Sequence, residues 1–261
     1  HSRPHNNRIF AFYEIKQLKK LSIQCILQQQ EYAIMKDITS YVYNFEELIQ
    51  GNFLYVDKTE YIWQMIRPSC AGYFLSRPRR FGKSLTVSTL KAVFEGKKEL
   101  FKGLAIYDKP YDWKPYPVIH FDFANCDIQS ADELIRYLND QLSDIANLFN
   151  VQLRGDLLSV RFENLITDIA SKGSVIILVD EYDKPILNNI SNQCANEILN
   201  VLKGFYSNIK KAEGKLRFVF VTGVSKFCHV SLFSDLNNLT DISMDARYAT
   251  MFGYTQEELE A

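Results

Sequence analysis

The sequence lacks the features of a membrane protein, a disulfide-stabilised protein or a strongly basic nucleic-acid-binding protein. Its longest apolar runs, such as VIILV at 175–179, fall well short of the ~20 residues that a membrane helix needs. Its five cysteines contain no C-x-x-C pair, which argues against a zinc site and predicts reduced thiols in a cytoplasmic protein. The formal net charge is −1, so any basic binding surface must be local.

What is present is typical of a globular α/β protein with an unusual amino-terminal segment. The chain has 261 residues, of which 47% are hydrophobic and 23% charged. Residues 1–34 are basic and contain a Gln run at 28–30, so we predict an extension or an over-long start before a domain at 35–261. The alternative is a helical arm that contributes to the core or contacts a partner. Thr255 and Glu258 form a capping-box pattern near the last residue, from which we expect a domain truncated at its carboxyl end.

Strand and helix patterns alternate along the domain. Continuous apolar runs predict strands at 72–76, 117–123, 175–179 and 216–227. Amphipathic runs predict helices at 57–66, 83–96, 130–149, 161–173 and 196–214. Two of these helices begin with capping-box patterns, Asp57 with Glu60 and Ser130 with Glu133. Apolar strands that alternate with helices predict a mainly parallel sheet covered on both faces, in three α/β/α layers.

The stretch AGYFLSRPRRFGKSLTVSTLKAVF, residues 71–94, contains the end of a phosphate-binding loop without its first glycine. The full pattern G-x-x-x-x-G-K-[ST] would place glycine at position 77, where this chain has Arg77. The context is nevertheless a strand, a turn and the start of a helix, which suits phosphate binding. Gly82 would allow close backbone approach, Lys83 would reach the β and γ phosphates, and Ser84 would ligate Mg²⁺.

We expect the whole turn and the first turn of the helix to surround the nucleotide. The predicted nucleotide-binding residues are Arg77, Pro78, Arg79, Arg80, Phe81, Gly82, Lys83, Ser84 and Leu85. The alternative is a chance Gly-Lys-Ser in a cationic turn. In a further alternative, the three arginines would bind the phosphate backbone of a nucleic acid.

A pair of acids follows the most strand-like segment of the chain. Asp180 and Glu181 come directly after VIILV. In a phosphate-loop enzyme, an acid at this point holds Mg²⁺ through water and the next one polarises the attacking water. Adjacent carboxylates at the end of a buried strand repel each other unless a cation or proton is near. The alternative is helix capping by Asp180 or Asp183.

A polar strand end supplies the third part of the predicted site. Thr222 follows RFVFV, and ligands in open α/β sheets bind beyond the carboxyl ends of strands. In phosphate-loop ATPases of the additional-strand type, such a residue lies between the other two strand ends. Thr222 is therefore predicted to sense the γ phosphate or hold water, with Ser225 as second candidate and an ordinary polar turn as the alternative. We expect His120 to be a packed strand residue. Asp122, at the tip of its strand, is expected either to approach the site or to serve a helix cap or a turn.

Four separated motifs resemble one family. They are YVDKTEYI, FLSRPRRFGKSLTVSTL, VIILVDEYDKPI and the segment from VFVTGVSKF to GYTQEEL. In this order they are similar to the AAA-ATPase-like domain that is common in bacterial proteins. R-P-R-R-F-G-K-S is the usual loop of that family, so Arg77 in place of glycine agrees with the resemblance.

The resemblance implies a P-loop NTPase fold of the additional-strand, AAA-like type with ATP and Mg²⁺ as cofactors. It implies ATPase activity in which Glu181, Lys83 and Thr222 act catalytically and Ser84 and Asp180 hold the metal. Such domains often precede a PD-(D/E)XK nuclease-like domain, which we expect beyond Ala261 as an effector and a route to nucleic acid. Homo-oligomerisation is a further expectation, but the sequence assigns no arginine finger, and Arg247 is the only arginine late in the chain. The alternative is a nucleotide-binding switch or scaffold with negligible hydrolysis.

Overall fold

The structure is a computed structural model that describes residues 36–39, 41–226 and 238–260. The predictions made for residues 1–34 lie outside the described residues. The described part contains a five-stranded sheet flanked by helices. The strands are β1 (Ala71–Ser76), β2 (Val118–Asp122), β3 (Val175–Asp180), β4 (Leu216–Gly223) and β5 (Thr240–Asp241). The helices are α1 (Phe45–Gln50), α2 (Thr59–Ile66), α3 (Lys83–Phe94), α4 (Ala131–Phe149), α5 (Leu158–Ala170), α6 (Lys184–Leu187), α7 (Ala195–Lys211) and α8 (Gln256–Glu260).

The sheet is parallel throughout, in the order β2-β3-β4-β1-β5. Strand β4 therefore lies between β1, which precedes the Gly-Lys-Ser turn, and β3, which precedes the acidic pair. Ser76 is in register with Gly223, and Asp122 with Asp180, so the polar carboxyl ends of these strands lie side by side at one end of the sheet. This is the strand order of the additional-strand P-loop fold, and it confirms the predicted fold class.

Two apolar cores cover the two faces of the sheet. The first packs α4, α5 and α7 against alternate strand residues such as Ile177 and Val219. The second packs α1, α2 and α3 against the intervening residues, such as Ile176 and Phe218. All six residues of β3 are buried because the strand has helices on both faces. The molecule therefore has the three layers that the continuous apolar strands predict.

Helix starts agree with the sequence in some places and differ in others. Ser130 accepts a hydrogen bond from the Glu133 backbone N–H at 3.2 Å, as the capping-box pattern predicts. The predicted Asp57–Glu60 box is wrong, because helix α2 begins at Thr59 and has no side-chain cap bond. Asp57 instead binds the Thr59 N–H at 2.8 Å and the Ala105 N–H at 2.7 Å, which fixes the loop before β2.

The absence of a long apolar segment holds in the structure as well. None of the helices in the described ranges is long and apolar enough to cross a membrane. The three cysteines that are described, Cys70, Cys126 and Cys194, form no disulfide with one another.

Candidate functional site

The Gly-Lys-Ser turn leaves β1 and enters α3 with two backbone positions in the left-handed region. Gly82 has φ +78° and caps the helix, and Arg80 has φ +65°. Glycine adopts the first conformation without strain, whereas a left-handed arginine costs roughly 1–2 kcal/mol. Arg80 and Phe81 are exposed, while Lys83 and Ser84 form the start of α3. The backbone N–H groups of this helix start face the turn, as an anion site requires.

The Lys83 side chain folds back and bonds the beginning of its own turn. Its Nζ donates hydrogen bonds to the backbone carbonyl oxygens of Arg77, at 3.0 Å, and Pro78, at 2.9 Å. The side chain is buried, and this burial lowers the pKa of the ammonium. The carboxylates of Asp180 and Glu181 act in the opposite direction and favour the charged form. The loop lysine and the acidic pair are therefore electrostatically coupled, as the sequence prediction requires.

Asp180 and Thr222 meet directly at the ends of neighbouring strands. The Thr222 hydroxyl donates to Asp180 Oδ1 at 2.6 Å, and both side chains are buried. The Glu181 backbone N–H donates to the same carboxylate oxygen at 3.0 Å. These two hydrogen bonds orient the Asp180 carboxylate at the carboxyl end of β3. The predicted convergence of Asp180 and Thr222 is thus present in the structure.

Glu181 occupies a strained position. Its φ is +51°, which non-glycine residues adopt at a cost of roughly 1–2 kcal/mol. Its carboxylate lies 3.6 Å from Lys184 Nζ, which also donates to the Ala124 carbonyl oxygen beyond β2. Strain of this kind persists only where the surroundings impose it, and it is common at functional sites. Lys184 therefore links the Glu181 carboxylate to the exit of a second strand.

Asp183 fastens the turn after β3 to the turn after β4. Its buried carboxylate accepts hydrogen bonds from the backbone N–H groups of Val224, at 3.0 Å, and Ser225, at 2.6 Å. Burial raises the pKa of this carboxyl, and the backbone donors partly oppose the shift. Asp183 is the N-cap residue of α6, as the helix-cap alternative predicted, but its side chain makes no cap hydrogen bond and binds the turn after β4 instead.

Ser243 is a site-supporting residue that the sequence did not reveal. Its Oγ accepts from the Ser76 N–H at 2.8 Å, and its carbonyl oxygen accepts from the Arg77 guanidinium. The Arg77 backbone N–H also donates to the Gly223 carbonyl oxygen at 3.2 Å. Arg77 thus joins the start of the loop to β4 and to the segment after β5. Ser243 lies within the fourth family-like segment, but nothing in that segment marks it as a partner of Ser76 and Arg77, so only the fold identifies these contacts.

The other predicted nucleotide-binding residues lie around the same turn. Pro78, Arg79 and Arg80 are exposed. Leu85 is partly buried against the core beneath α3, and its carbonyl oxygen accepts from the Thr89 hydroxyl at 2.7 Å. Leu85 therefore supports the helix from below the turn. In the part of the chain that the structure describes, no cluster of three His, Cys, Asp or Glu side chains could hold a metal by itself.

Three further residues from the sequence analysis make other contacts, although Asp122 ends β2 in register with Asp180. Arg247 is exposed and pairs with Asp245 at 2.6 Å. Asp122 accepts from the Ala124 N–H at 2.8 Å, which is the predicted turn role. His120 packs within β2, and burial lowers its pKa, as expected for a packed strand histidine.

A curated relative and a solved structure are similar to this chain. The relative is an uncharacterized protein in the vnfD 5′ region of Azotobacter chroococcum mcd 1, 40% identical over 225 residues. That match includes 84% of this chain, which spans 43% of the relative's length. The Aeropyrum pernix ORC2 protein, solved as ADPNP and ADP complexes, is 14% identical with a TM-score of 0.36, over 80% of this chain and 45% of that chain.

A family model describes the region that contains the loop, the acidic pair and β4. The model is that of the AAA-ATPase-like family, described as predicted AAA-ATPase, and it matches residues 41–233. The match covers well over half of the chain and agrees with the phosphate-loop strand order. Membership in this family makes the domain a nucleotide-binding P-loop module. The chain belongs to the predicted AAA-ATPase family.

Proposed function

We propose that this domain binds ATP with Mg²⁺ and hydrolyses it. The observation that supports this most directly is the meeting of Thr222, Asp180 and Glu181 beside Lys83 at one end of a parallel sheet. Phosphoryl transfer depends on positioning and on charge stabilisation. These residues supply both, and hydrogen bonds already hold two of them.

Each side chain has a distinct role in this proposal. Lys83 exchanges its two carbonyl partners for the β and γ phosphate oxygens. The Ser84 hydroxyl at the helix start and the Asp180 carboxylate, through water, hold Mg²⁺. Thr222 orients Asp180. Mg²⁺ keeps several waters and binds substrate phosphates, so one carboxylate and one hydroxyl fit the metal without an all-protein cage.

Glu181 is the residue that separates hydrolysis from simple binding. It directly follows the metal-side acid, and its carboxylate orients and polarises the attacking water. Lys184 neutralises part of its charge and fixes its position. Arg79 and Arg80, which are exposed on the turn, add positive charge near the phosphates.

A nucleotide-dependent switch without turnover is the second candidate. The observation that favours it is the Glu181–Lys184 pair at 3.6 Å, because a carboxylate held by a lysine is less free to orient an attacking water. In either case we propose that the nucleotide state regulates an attached or partner effector, such as a nuclease-like domain. The relative from Azotobacter is more than twice as long as the matched region, which leaves room for such a domain there.

Glu181→Gln tests the proposal, with Lys83→Ala as its binding counterpart. Glu181→Gln keeps the side-chain size and removes the charge, so turnover should fall by about 10²-fold or more while ATP affinity stays the same. Lys83→Ala removes a charge-assisted phosphate contact and should weaken ATP binding by roughly 10- to 100-fold. Steady-state phosphate release and calorimetric titration with ATP and Mg²⁺ measure the two effects.

Glu163→Gln on the exposed side of α5 is the matched control, because it makes the same chemical change outside the site. Equal turnover in the wild type and Glu181→Gln would remove Glu181 from its role. Tight ATP binding without turnover in the wild type would favour the switch. Absence of ATP binding by the wild type would contradict both candidates.

A further inference from the structure

The proposed nucleotide site has a direction across the sheet. Asp180 and Glu181 stand at the end of β3, Thr222 stands near the end of β4, and the phosphate loop follows β1. Strand β5 lies beyond β1, on the side away from the acidic pair. With the γ phosphate and Mg²⁺ at the ends of β3 and β4, the sugar and base lie on the β5 side of the loop. Neighbouring strands are ~4.8 Å apart, so β3 and β5 are separated by roughly 14 Å, which an extended nucleoside triphosphate can span.

The surface on the β3 side suits the phosphate end of the nucleotide. The exit of β2 carries the exposed Asp122 carboxylate, and the Glu181–Lys184 ion pair lies beside it. Lys184 also donates to the Ala124 carbonyl oxygen after β2. Charged groups of this kind bind metal, water and phosphate, whereas a flat base binds to apolar and aromatic surface. The charges therefore agree with a base on the other side of the loop.

An aromatic side chain of the phosphate loop lies on that other side. Phe81 directly precedes Gly82 and stands two residues before Lys83. A Cβ added at Gly253, in the segment that follows β5, would lie 3.9 Å from two atoms of the Phe81 ring. The ring nevertheless keeps 41% of its surface exposed. The loop therefore presents one side of an aromatic ring to solvent, next to the start of α3.

The segment behind the Phe81 ring is fixed to the rest of the domain. Lys58, at the start of α2, donates through Nζ to the Thr250 carbonyl oxygen at 2.7 Å. Phe252, directly before Gly253, is buried in the core that contains α3. A ring with a fixed support loses little freedom when a ligand binds to it, so more of the contact appears as affinity.

We propose that Phe81 stacks on the base of the bound nucleotide, with Gly253 behind the ring. The proposal rests on the proposed binding of ATP and adds the residue that binds the base. Stacking buries flat apolar faces of both rings. It does not read the polar edge of the base, because every base has such a face. Phe81 therefore raises affinity for nucleotides and does not select among purines.

Inorganic tripolyphosphate separates the base contact from the phosphate contacts, because it has the phosphate chain without sugar or base. Calorimetric titrations with Mg²⁺ compare ATP, GTP and tripolyphosphate. Phe81→Ala should weaken ATP binding by about tenfold, weaken GTP binding by the same factor and leave the affinity for tripolyphosphate unchanged. Lys83→Ala should instead weaken the binding of all three, because it removes a phosphate contact.

Two further variants assign the effect to stacking. Phe81→Trp keeps a flat ring and should restore the wild-type affinity for ATP. Its added tryptophan fluorescence should change with ATP and stay constant with tripolyphosphate. Leu148→Ala removes an exposed apolar side chain from α4, which packs on the opposite face of the sheet from α3, and should leave ATP affinity unchanged. Because the Phe81 ring is partly exposed, Phe81→Ala should retain a melting temperature close to that of the wild type.

The outcomes separate this inference from the proposed ATP binding. Wild-type ATP affinity in Phe81→Ala would overturn the inference alone. Equal losses for ATP and tripolyphosphate would also overturn it, because they would show that the ring only shapes the loop. Failure of Phe81→Trp to restore ATP affinity would contradict stacking. A wild-type protein that binds neither ATP nor tripolyphosphate would contradict the proposed function and this inference together.

Discussion

The phosphate loop and the turns after β3 and β4 lie side by side at the carboxyl ends of the central strands. One glycine in each region shows that the loop is open and that the turns are tightly packed. A Cβ added at Gly82 in the loop would meet no atom within 4 Å, but φ there is +78°. A Cβ added at Gly223 would lie 2.3 Å from the Tyr182 ring and 2.7 Å from Asp183 Oδ1. Gly82 is needed for its backbone conformation, and Gly223 is needed because there is no space.

In the proposed site, this difference separates the surface that would accept the nucleotide from the surface that holds the proposed catalytic groups in place. Arg79 and Arg80 are exposed on the loop. The Lys83 side chain donates hydrogen bonds to backbone carbonyl oxygens at the start of the loop. The strand ends are buried and connected by the Thr222–Asp180 bond and the Asp183 bonds. A preorganised acidic side and an open cationic side suit a site whose metal and water positions must be fixed before phosphate arrives.

Gly223→Ala should cause the largest loss of stability. The new methyl group overlaps the Tyr182 ring and Asp183, so the free energy of unfolding should fall by about 3 kcal/mol. Urea unfolding measures the change. Gly204→Ala in α7 is the matched control, because its Cβ has open space and helix propensity should make it stabilising by about 0.5–1 kcal/mol. Equal effects at the two glycines would show that the strand ends are not tightly packed.

Asp183→Ala should have the next largest effect. It leaves the part-buried backbone N–H groups of Val224 and Ser225 without their acceptor, at a cost of about 2 kcal/mol. Thermal unfolding provides the measurement, and Asp108→Ala at an exposed position is the control. A variant as stable as the wild type would mean that Asp183 does not fasten the two turns.

The sign of the pH dependence at Asp183 follows from its raised pKa. Between the ordinary aspartate pKa of 3.8 and the higher folded pKa, the folded state binds more protons than the unfolded state. Stability contributed by this group is therefore present at low pH and is lost as pH rises through the folded pKa. The stability of the wild type relative to Asp183→Asn should fall as pH rises above 3.8. A difference that grows with pH would contradict the assigned shift.

Arg80→Gly should have the smallest effect and the opposite sign. Glycine relieves the left-handed backbone at φ +65°, whereas Arg80→Ala removes the same charge and keeps the strain. Arg80→Gly should exceed Arg80→Ala in unfolding free energy by about 1 kcal/mol. Chemical denaturation of the two variants isolates the backbone contribution. Equal stability would indicate that the loop relaxes around residue 80.

The sequence predicted the layers of the fold because each central strand is a continuous apolar run. VIILV is buried on both faces, and Gly173, beyond the end of α5, has a positive φ that suits the predicted helix end. Helix α1 went unpredicted, although Asn44 caps it by accepting from the Glu46 N–H at 2.9 Å. That signal was present in the sequence as Asn-Phe-Glu-Glu. Strand β5 has only two residues and gives no readable pattern.

The sequence indicated those parts of the candidate site that are short local motifs. It did not indicate the hydrogen bonds that connect these motifs across the fold. Lys83, Ser84 and the Asp180–Glu181 pair belong to short motifs with known spacing. The bonds from Val224 and Ser225 to Asp183, and from Ser76 to Ser243, connect residues that are far apart in the chain. Only the order of strands brings such partners together. The left-handed backbone of Glu181 likewise arises from its surroundings, since glutamate has no preference for it.

The pairing of β1 has a consequence for synthesis on the ribosome. Its neighbours are β4 and β5, and partners such as Ala71 and Phe218 are about 150 residues apart. At 5–20 residues per second, the phosphate loop emerges roughly 7–30 s before the strand beside it. Until then Ser76 has neither Gly223 nor Ser243 as a neighbour. During translation, nucleotide can stabilise the nascent domain only after β4 has emerged.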